Sequence, residues 1–385
     1  MSDQPLIPLF DVRLGEDVVE AVADTLRSGW LTMGPRTKDF EAAYAERLGV
    51  RHAVAVSSCT ASLHLAYLAA GVGQGDEVIV PAITFVASAA AVRYCGATPV
   101  LADVTGPHDL GVDPDDTEQL IGERTKAVCA VHYAGYPARV ERLREICERR
   151  GVALIEDCAH HPDLAPTGLT GCYSFFSNKV LSCGEGGLLA TDDDAVAELA
   201  RSLRSHAMTS GTWDRHRGHS AGYDVVGLGF NYRMDEPRAA LLHARLAGLT
   251  DDIEHRRALV RRYRSELAGT PGLTLPYADD EVGLSSCYVM PTVLEDASLR
   301  DELRTRLMER HRVQTSVLYP AIHEFTAYEG SCDRPLPRSE HIARGEVTLP
   351  LFPHLSEADQ DRVVAGVRNE LADLQRSGAA LSAST

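Results

Sequence analysis

The chain has 385 residues, of which 44% are hydrophobic and 24% charged, and carries a formal net charge of -17. That length allows a large buried core and about two domains, while the acidic balance excludes non-specific partnership with nucleic acid or an anionic membrane surface, because either would have to overcome overall repulsion. No apolar run approaches the span of a bilayer and the N-terminus lacks a basic-then-apolar signal segment, so a soluble cytoplasmic protein is expected.

Residues 1–12 contain Pro5 and Pro8 and read as a strap over the body. Over 16–28 the apolar residues Val18, Val19, Val22 and Leu26 recur at helical spacing, and Gly29 closes the run. A loop with Trp30, Gly34 and Pro35 follows; its indole could line a site or cap a core. A second helix is expected over 37–48 and a short strand over 50–56. The turn Ser57-Ser58-Cys59-Thr60 then leads into a helix over 61–70. Free N–H groups and the positive end of a helix dipole converge at such a turn, and the Ser58 and Thr60 hydroxyls add donors for an anion such as phosphate. An ordinary Ser/Thr helix cap has the same sequence.

Strands and helices then alternate: strand 77–85, helix 86–94, strand 99–104, helix 114–122, strand 126–133, helix 139–150 and strand 152–155, which runs into Glu156-Asp157-Cys158-Ala159-His160. The rhythm predicts parallel strands covered by helices, with ligands at the carboxyl ends of the strands, where residues 57–60, Phe85, His132 and 157–160 all fall. The nine cysteines are scattered, often inside apolar runs, and never spaced Cys-x-x-Cys. They read as free buried thiols in a reducing compartment.

The stretch 171–187 holds Lys179 in an apolar, Ser- and Gly-rich turn. Only three lysines occur in the chain, Lys38, Lys126 and Lys179, while Arg supplies nearly all the other positive charge. A desolvated lysine loses its proton and attacks a carbonyl, which makes Lys179 a candidate Schiff-base residue; a lysine snorkelling out of a loop would look the same from this stretch alone.

Further on, 193–206 reads as a helix and 208–229 as a long polar segment rich in His and Gly, of the kind that is functional or crosses to a partner. Its His216-Arg217-Gly218-His219 lacks a third ligand at workable spacing, so no metal is expected. A helical region over 238–267 breaks near Gly248, and 271–276 reads as a linker. A strand at 288–294, a helix at 299–310, the stretch 317–323 and a helix at 357–374 form a smaller α/β domain, and the polar tail 375–385 is expected to be disordered. The Gly-x-x-x-x-Gly-Lys-Ser/Thr loop is absent and Gly227-Leu228-Gly229 opens no strand-helix-strand unit, which excludes a P-loop nucleotide-binding protein.

With these pieces in order, the chain resembles the DegT/DnrJ/EryC1/StrS sugar aminotransferases, pyridoxal phosphate enzymes of fold type I, over nearly its whole length. The matching segments begin with Gly29-Trp30-Leu31, Gly34-Pro35, Phe40-Glu41, Gly75-Asp76-Glu77-Val78, Pro81, Thr84-Phe85, Thr125-Lys126-Ala127-Val128 and Val131-His132. They continue through Glu156-Asp157-Cys158-Ala159-His160, Ser174-Phe175-Phe176-Ser177-Asn178-Lys179, Gly184-Glu185-Gly186-Gly187 and Asn231-Tyr232-Arg233. No single segment decides; the ordered set is specific. The resemblance implies an α/β fold of the aspartate aminotransferase type, with a strap and a large, mostly parallel-sheet domain at 1–245 and a small C-terminal α/β domain at 246–385.

It also implies roles. Lys179 would form the imine with the cofactor aldehyde and then carry the proton, and Asp157 would pair with the pyridine nitrogen so that the ring accepts electrons. Phe85 would stack on the ring and His160 contact its hydroxyl. Thr60 and Ser174, with Ser58 and the Cys59 N–H, would hold the phosphate, and Asn231 would reach it from the other subunit of a homodimer with shared active sites. Cys59 stands where the family usually has Gly; a positive φ would strain it, so an ordinary backbone is expected there.

By the same resemblance L-glutamate donates the amine, the cofactor passes through its pyridoxamine phosphate form, and a nucleotide-linked ketosugar accepts, the closest likeness being to amination at C4 of dTDP-4-keto-6-deoxyglucose. A C3-ketosugar or keto-inositol aminotransferase, or a non-catalytic regulator that binds cofactor or nucleotide-sugar as a signal, would share the fold. Sugar dehydratase relatives carry His in place of the lysine, and Lys179 stands against that chemistry. Trp30, Tyr319, His323 and the loop around 206–219 are the expected sugar contacts.

Overall fold

A computed structural model describes residues 5–211, 213, 216–218 and 222–382. The site hangs from a seven-stranded sheet in the order β1-β9-β8-β7-β6-β2-β3. Its strands are β1 (His52–Val56), β2 (Glu77–Pro81), β3 (Thr98–Ala102), β6 (Thr125–Val131), β7 (Ala153–Asp157), β8 (Thr170–Ser174) and β9 (Gly187–Thr191), while β4 (Val104–Gly106) and β5 (Asp109–Val112) pair separately. The run from β3 to β8 is parallel, as the alternation predicts, and β9 alone lies antiparallel to both of its neighbours. The sheet is therefore mostly parallel.

Sequence reading leaves β8 and β9 inside an irregular stretch. All five residues of each are buried, so neither shows the alternation that marks a half-exposed strand. The strand expected to reach Phe85 stops at Pro81, leaving Thr84 and Phe85 on the loop that follows.

Helices cover both faces: α1 (Glu16–Arg27), α2 (Pro35–Leu48), α3 (Cys59–Ala69), α4 (Ala87–Tyr94), α5 (Pro114–Leu120), α6 (Val140–Arg150) and α7 (Asp194–Leu203). Their ends follow from side chains. Pro35 opens α2 and Gly49 closes it at φ 69°, while the Asp193 carboxylate accepts the Ala195 and Val196 N–H groups of α7. Phe40 and Tyr44 of α2 meet Phe175 and Tyr173 edge-on at 5.6 and 5.5 Å, fastening α2 to the sheet beside the Lys179 turn.

The long helical region breaks at Gly248, as expected, into α8 (Glu236–Leu246) and α9 (Leu249–Leu267). Glu236 is 2% exposed, yet its carboxylate accepts the N–H groups of Gly34, Arg36 and Thr37 and the Thr37 hydroxyl, at 2.7–2.9 Å. One buried charge thereby satisfies the orphan donors at the start of α2 and ties α8 to it. The apolar stripe expected on α1 is only partly covered: Val18 is buried, but Val19 and Leu26 are 48% and 54% exposed.

A second sheet, β10-β11-β12, is built by β10 (Leu273–Thr274), β11 (Met290–Leu294) and β12 (Glu346–Leu349), flanked by α10 (Arg300–His311), α11 (Pro337–Gly345) and α12 (Glu357–Ser382). Two expectations are corrected here. The segment 271–276 is not a bare linker, since β10 lies in it and pairs with β11. The tail does not begin at 375, since α12 continues to Ser382; residues 383–385 lie outside the described residues. The strap joins this part of the chain through Ile7, whose N–H donates to the Arg312 carbonyl at 2.8 Å. Among the described residues no helix is long and apolar enough to cross a membrane.

The closest approach in the large sheet is where β9 begins. Gly187 pairs with Val56 of β1 and Ser174 of β8, and a Cβ on it would collide with the backbone of Ser58 and Cys59. Gly187→Ala should therefore lower stability in urea unfolding by about 1–3 kcal/mol, because the obstacle is backbone that cannot rotate away. Wild-type stability in that variant would contradict the packing described.

Candidate active site

Four elements end at one place. Ser58 follows β1 and caps α3, its Oγ accepting the Ala61 N–H at 3.2 Å, so the N–H groups of Cys59 and Thr60 belong to a first turn that no earlier turn can satisfy. No acidic residue lies in that first turn, which leaves the positive end of the helix dipole uncompensated. Cys59 takes none of the chain's positive φ values, as expected for a residue that replaces Gly. Asp157 ends β7, Ser174 ends β8, and Phe85 lies on the loop after β2.

These residues, with His160, Lys179 and Tyr319, line one cavity of about 400 Å³. Phe85 is 54% exposed and faces the Tyr319 ring at 5.8 Å. Three expected positions are not brought there by this chain. Trp30 packs against Trp213 and His216 instead, at 4.7 Å each, and His323 sits 3.7 Å from the Glu340 carboxylate. Asn231 is exposed and pairs with Ser205 outside the cavity. His132, at a strand end, faces away: its Nδ1 accepts the Ala138 N–H and its Nε2 donates to Glu156 at 3.1 Å, a fully buried pair. Of the expected metal-poor loop pair, His216 is engaged with the indoles and His219 lies outside the described residues.

Lys179 and Asp157 set the electrostatics. Lys126 and Lys38 are exposed, whereas the Lys179 ammonium lies 4.3 Å over the Tyr288 ring. Burial lowers its pKa to about 8, with the Asp157 charge and Cys59 pulling the other way. Burial likewise raises the Asp157 carboxyl, opposed by hydrogen bonds from the Ala159 N–H at 3.0 Å and the Ser88 hydroxyl at 2.9 Å and by the Lys179 charge. In both groups desolvation outweighs their mutual attraction. An amine that sheds its proton near neutral pH thus shares a low-dielectric cavity with a carboxyl held in place by two donors.

His160 organises the opposite wall. Its Nδ1 accepts the Ala134 N–H at 3.2 Å, so the ring proton sits on Nε2 and is donated to Tyr319 Oη at 2.8 Å. Burial, then the Lys179 and His132 charges, push this imidazole well below its ordinary value, which keeps it neutral. Tyr288 stacks on it at 4.4 Å. Ala134 (φ 57°) and Cys287 (φ 50°), non-glycine residues in the left-handed region, flank these contacts, and the segments lace together through Tyr288 N–H to Ala134 O and Ser286 N–H to Gly135 O, both at 3.1 Å.

Three contributors escaped sequence reading. Ser88 reaches Asp157 from α4 across 69 residues of sequence, Tyr288 reads as an ordinary strand residue, and Asn178 brings a buried Oδ1 without a partner to the cavity wall. Only Asn178 carried a signal, as the neighbour of Lys179.

The DegT/DnrJ/EryC1/StrS aminotransferase family model matches residues 12–368. The chain belongs to this family. It is accordingly a pyridoxal phosphate-dependent sugar aminotransferase with the fold type I architecture. Among curated relatives, it is 34% identical over 369 residues to the spore coat polysaccharide biosynthesis protein SpsC of Bacillus subtilis, covering 92% of this chain and 95% of the relative. Among solved structures, the aminotransferase TlmJ from Streptoalloteichus hindustanus superposes with a TM-score of 0.87 at 36% identity, over 96% of this chain and all of that one. NtdA from Bacillus subtilis, solved with bound cofactor PMP, superposes with a TM-score of 0.86 at 27% identity, over 97% of this chain and 86% of its own.

The donor set suits the family's cofactor. An anion-ready helix N-terminus, hydroxyls on Thr60 and Ser174, a neutral His160, a buried carboxyl and a single titratable amine converge on one cavity.

The lowered amine carries a sign for stability. Between about 8 and 10.5 the folded, cofactor-free chain binds fewer protons at Lys179 than the unfolded chain does, so this residue makes stability rise with pH across that window. Buried thiols and tyrosines titrate there with the opposite sign, so the comparison is between wild type and Lys179→Met in urea unfolding. Their stability difference should move in favour of wild type as pH rises from 8 to 10.5. A constant difference would mean that the amine is not desolvated.

Proposed function

We propose that the enzyme moves the amino group of L-glutamate to C4 of a nucleotide-linked ketosugar, dTDP-4-keto-6-deoxyglucose, in amino-deoxysugar biosynthesis, as a cytoplasmic homodimer whose two active sites are shared. The observation that carries the transfer chemistry is the buried Lys179 amine beside Asp157 in a cavity that opens on the N-terminus of α3. The ordered set of sequence segments supports a sugar acceptor as the family's, and the choice of C4 rests on overall likeness, with a C3-ketosugar or keto-inositol as the alternative. The proposed division of labour between a domain at 1–245 and one at 246–385 is supported by the separate three-stranded sheet and its own apolar cluster.

Pyridoxal phosphate, when bound, supplies the carbonyl that carries the amine and the ring that takes up electrons from the substrate carbon. The chain does the rest. Ser58, Thr60, Ser174 and the Cys59 N–H hold the phosphate, each charge-assisted bond contributing about 1.5–3 kcal/mol. Asp157, oriented by Ser88 and the Ala159 N–H, holds a proton on the pyridine nitrogen. Phe85 would cover the ring, and His160, by donating to Tyr319 Oη, leaves that hydroxyl free to donate to the cofactor or the sugar. Lys179, whose burial favours the neutral amine, would take a proton from the donor carbon in one half of the cycle and deliver one to the acceptor carbon in the other. Asn231, exposed in a single chain, serves the phosphate of the partner subunit's site. Trp30, packed against Trp213 and His216, and His323, beside Glu340, line no part of the cavity that this chain forms.

Lys179→Ala should remove the cofactor's near-visible absorption and lower turnover by about 10²–10⁴-fold or more. Wild-type enzyme incubated with glutamate and a panel of nucleotide ketosugars should give a C4 amine by mass and NMR. A C3 amine, or turnover of a keto-inositol alone, would overturn the acceptor assignment, and an unaltered spectrum in the variant would overturn the role of the lysine.

A further inference from the structure

The turn that carries Lys179 is closed on itself at its ends. The Phe175 N–H donates to the Gly186 carbonyl and the Phe175 carbonyl accepts the Cys183 N–H, both at 2.9 Å, while the Lys179 N–H donates to the Phe176 carbonyl at 2.9 Å. Residues 180–182, directly after the lysine, make no backbone-to-backbone hydrogen bond among the described residues.

They are held instead by a side chain of α8. Arg245, in the last turn of that helix, donates through one nitrogen to the Ser182 carbonyl at 2.8 Å and the Ser182 hydroxyl at 2.7 Å, and through another to the Val180 carbonyl at 3.3 Å. Val180 and Leu181 are buried in the same apolar cluster as Leu242 and Leu246 of α8, so packing and hydrogen bonds tie the turn to one helix. The Arg245 side chain is 12% exposed, and burial lowers its pKa, with the Asp252 and Cys183 charges opposing. Asp252, in the first turn of α9, stays 4.0 Å from the guanidinium, farther than a hydrogen bond. A desolvated cation thus directs its donors at the backbone beside Lys179 and not at a close carboxylate, and a rigid planar fork suits two carbonyls two residues apart.

We propose that Arg245 is a positioning residue for the transfer reaction, fixing the backbone after Lys179 and so the place at which the amine stands over the Tyr288 ring and enters the cavity. The proposal rests on the reading that Lys179 takes the cofactor. A shift of the lysine backbone is passed along the side chain to Nζ, and misplacing a reacting group by about 1 Å costs on the order of 10²-fold in rate.

Arg245→Met tests it in two measurements. In the cofactor-loaded protein, the single-turnover conversion of bound aldehyde to bound amine by saturating glutamate, followed spectrally, should slow by about tenfold or more, with the half-saturating glutamate concentration little changed. In the full-length chain freed of cofactor, competitive acetylation with peptide mass mapping should place the Lys179 midpoint at about 8 in wild type and nearer 10.5 in the variant, because a loosened turn lets water reach the amine. The exposed Lys38 and Lys126 serve as references in the same digest. A residue that only stabilised the fold would lower the melting temperature and leave both readings on the folded fraction unchanged. Arg245→Gln, whose amide can reach one carbonyl, should fall between the two proteins on both scales and decides the matter if Arg245→Met does not fold. Either a wild-type rate or a wild-type midpoint in the folded variant overturns the proposal. Borohydride label on Lys38 or Lys126 of the wild type would instead overturn the role of the lysine, and this proposal with it.

Discussion

A lysine amine held out of water next to a carboxyl is the constraint on which the rest of the molecule depends. Left to themselves the two groups would form an ordinary ion pair, but burial acts against charge on each, lowering the amine and raising the carboxyl. The outcome is an amine that exchanges its proton at physiological pH, and a carboxyl that keeps its position because Ser88 and the Ala159 N–H hold it. Aminotransfer needs both properties in one cavity: a base that can give and take the same proton, and a fixed counter-charge for the ring nitrogen.

The scaffold shapes that cavity by close backbone approach. Gly187 lets β9 begin against the first turn of α3, so the anion-binding end of the helix, the end of β8 and the Lys179 turn are held by one contact. On the opposite wall, the laced segments around Ala134 and Ser286 place Tyr288 against His160, and His160 in turn fixes the tyrosine at 319. Positive φ at Ala134 and Cys287 is tolerated there because the surrounding bonds leave the backbone no alternative.

Much of this was legible in the sequence. Alternating helix and strand signals located the carboxyl end of β7 and the turn before α3 but carried β2 on to Phe85 when it stops at Pro81, and the scarcity of lysine singled out residue 179 before any family likeness was considered. What escaped has a physical cause. Strands β8 and β9 are buried on both faces and so lack alternation; Ser88 and Tyr288 act through contacts that only the folded chain creates. Trp30 and His323 carry residue types that suit a sugar pocket, yet packing placed one against Trp213 and the other beside Glu340. Asn231 faces outward in one chain, and its expected task requires a second.

The most direct test uses the chain's own composition. Reducing the cofactor-loaded protein with borohydride fixes the cofactor to whichever amine holds it, and peptide mass mapping then has only three lysines to distinguish. The added mass should fall on the peptide containing Lys179 and on no other. Label on Lys38 or Lys126, or a cofactor that washes away unreduced, would contradict the account at its root.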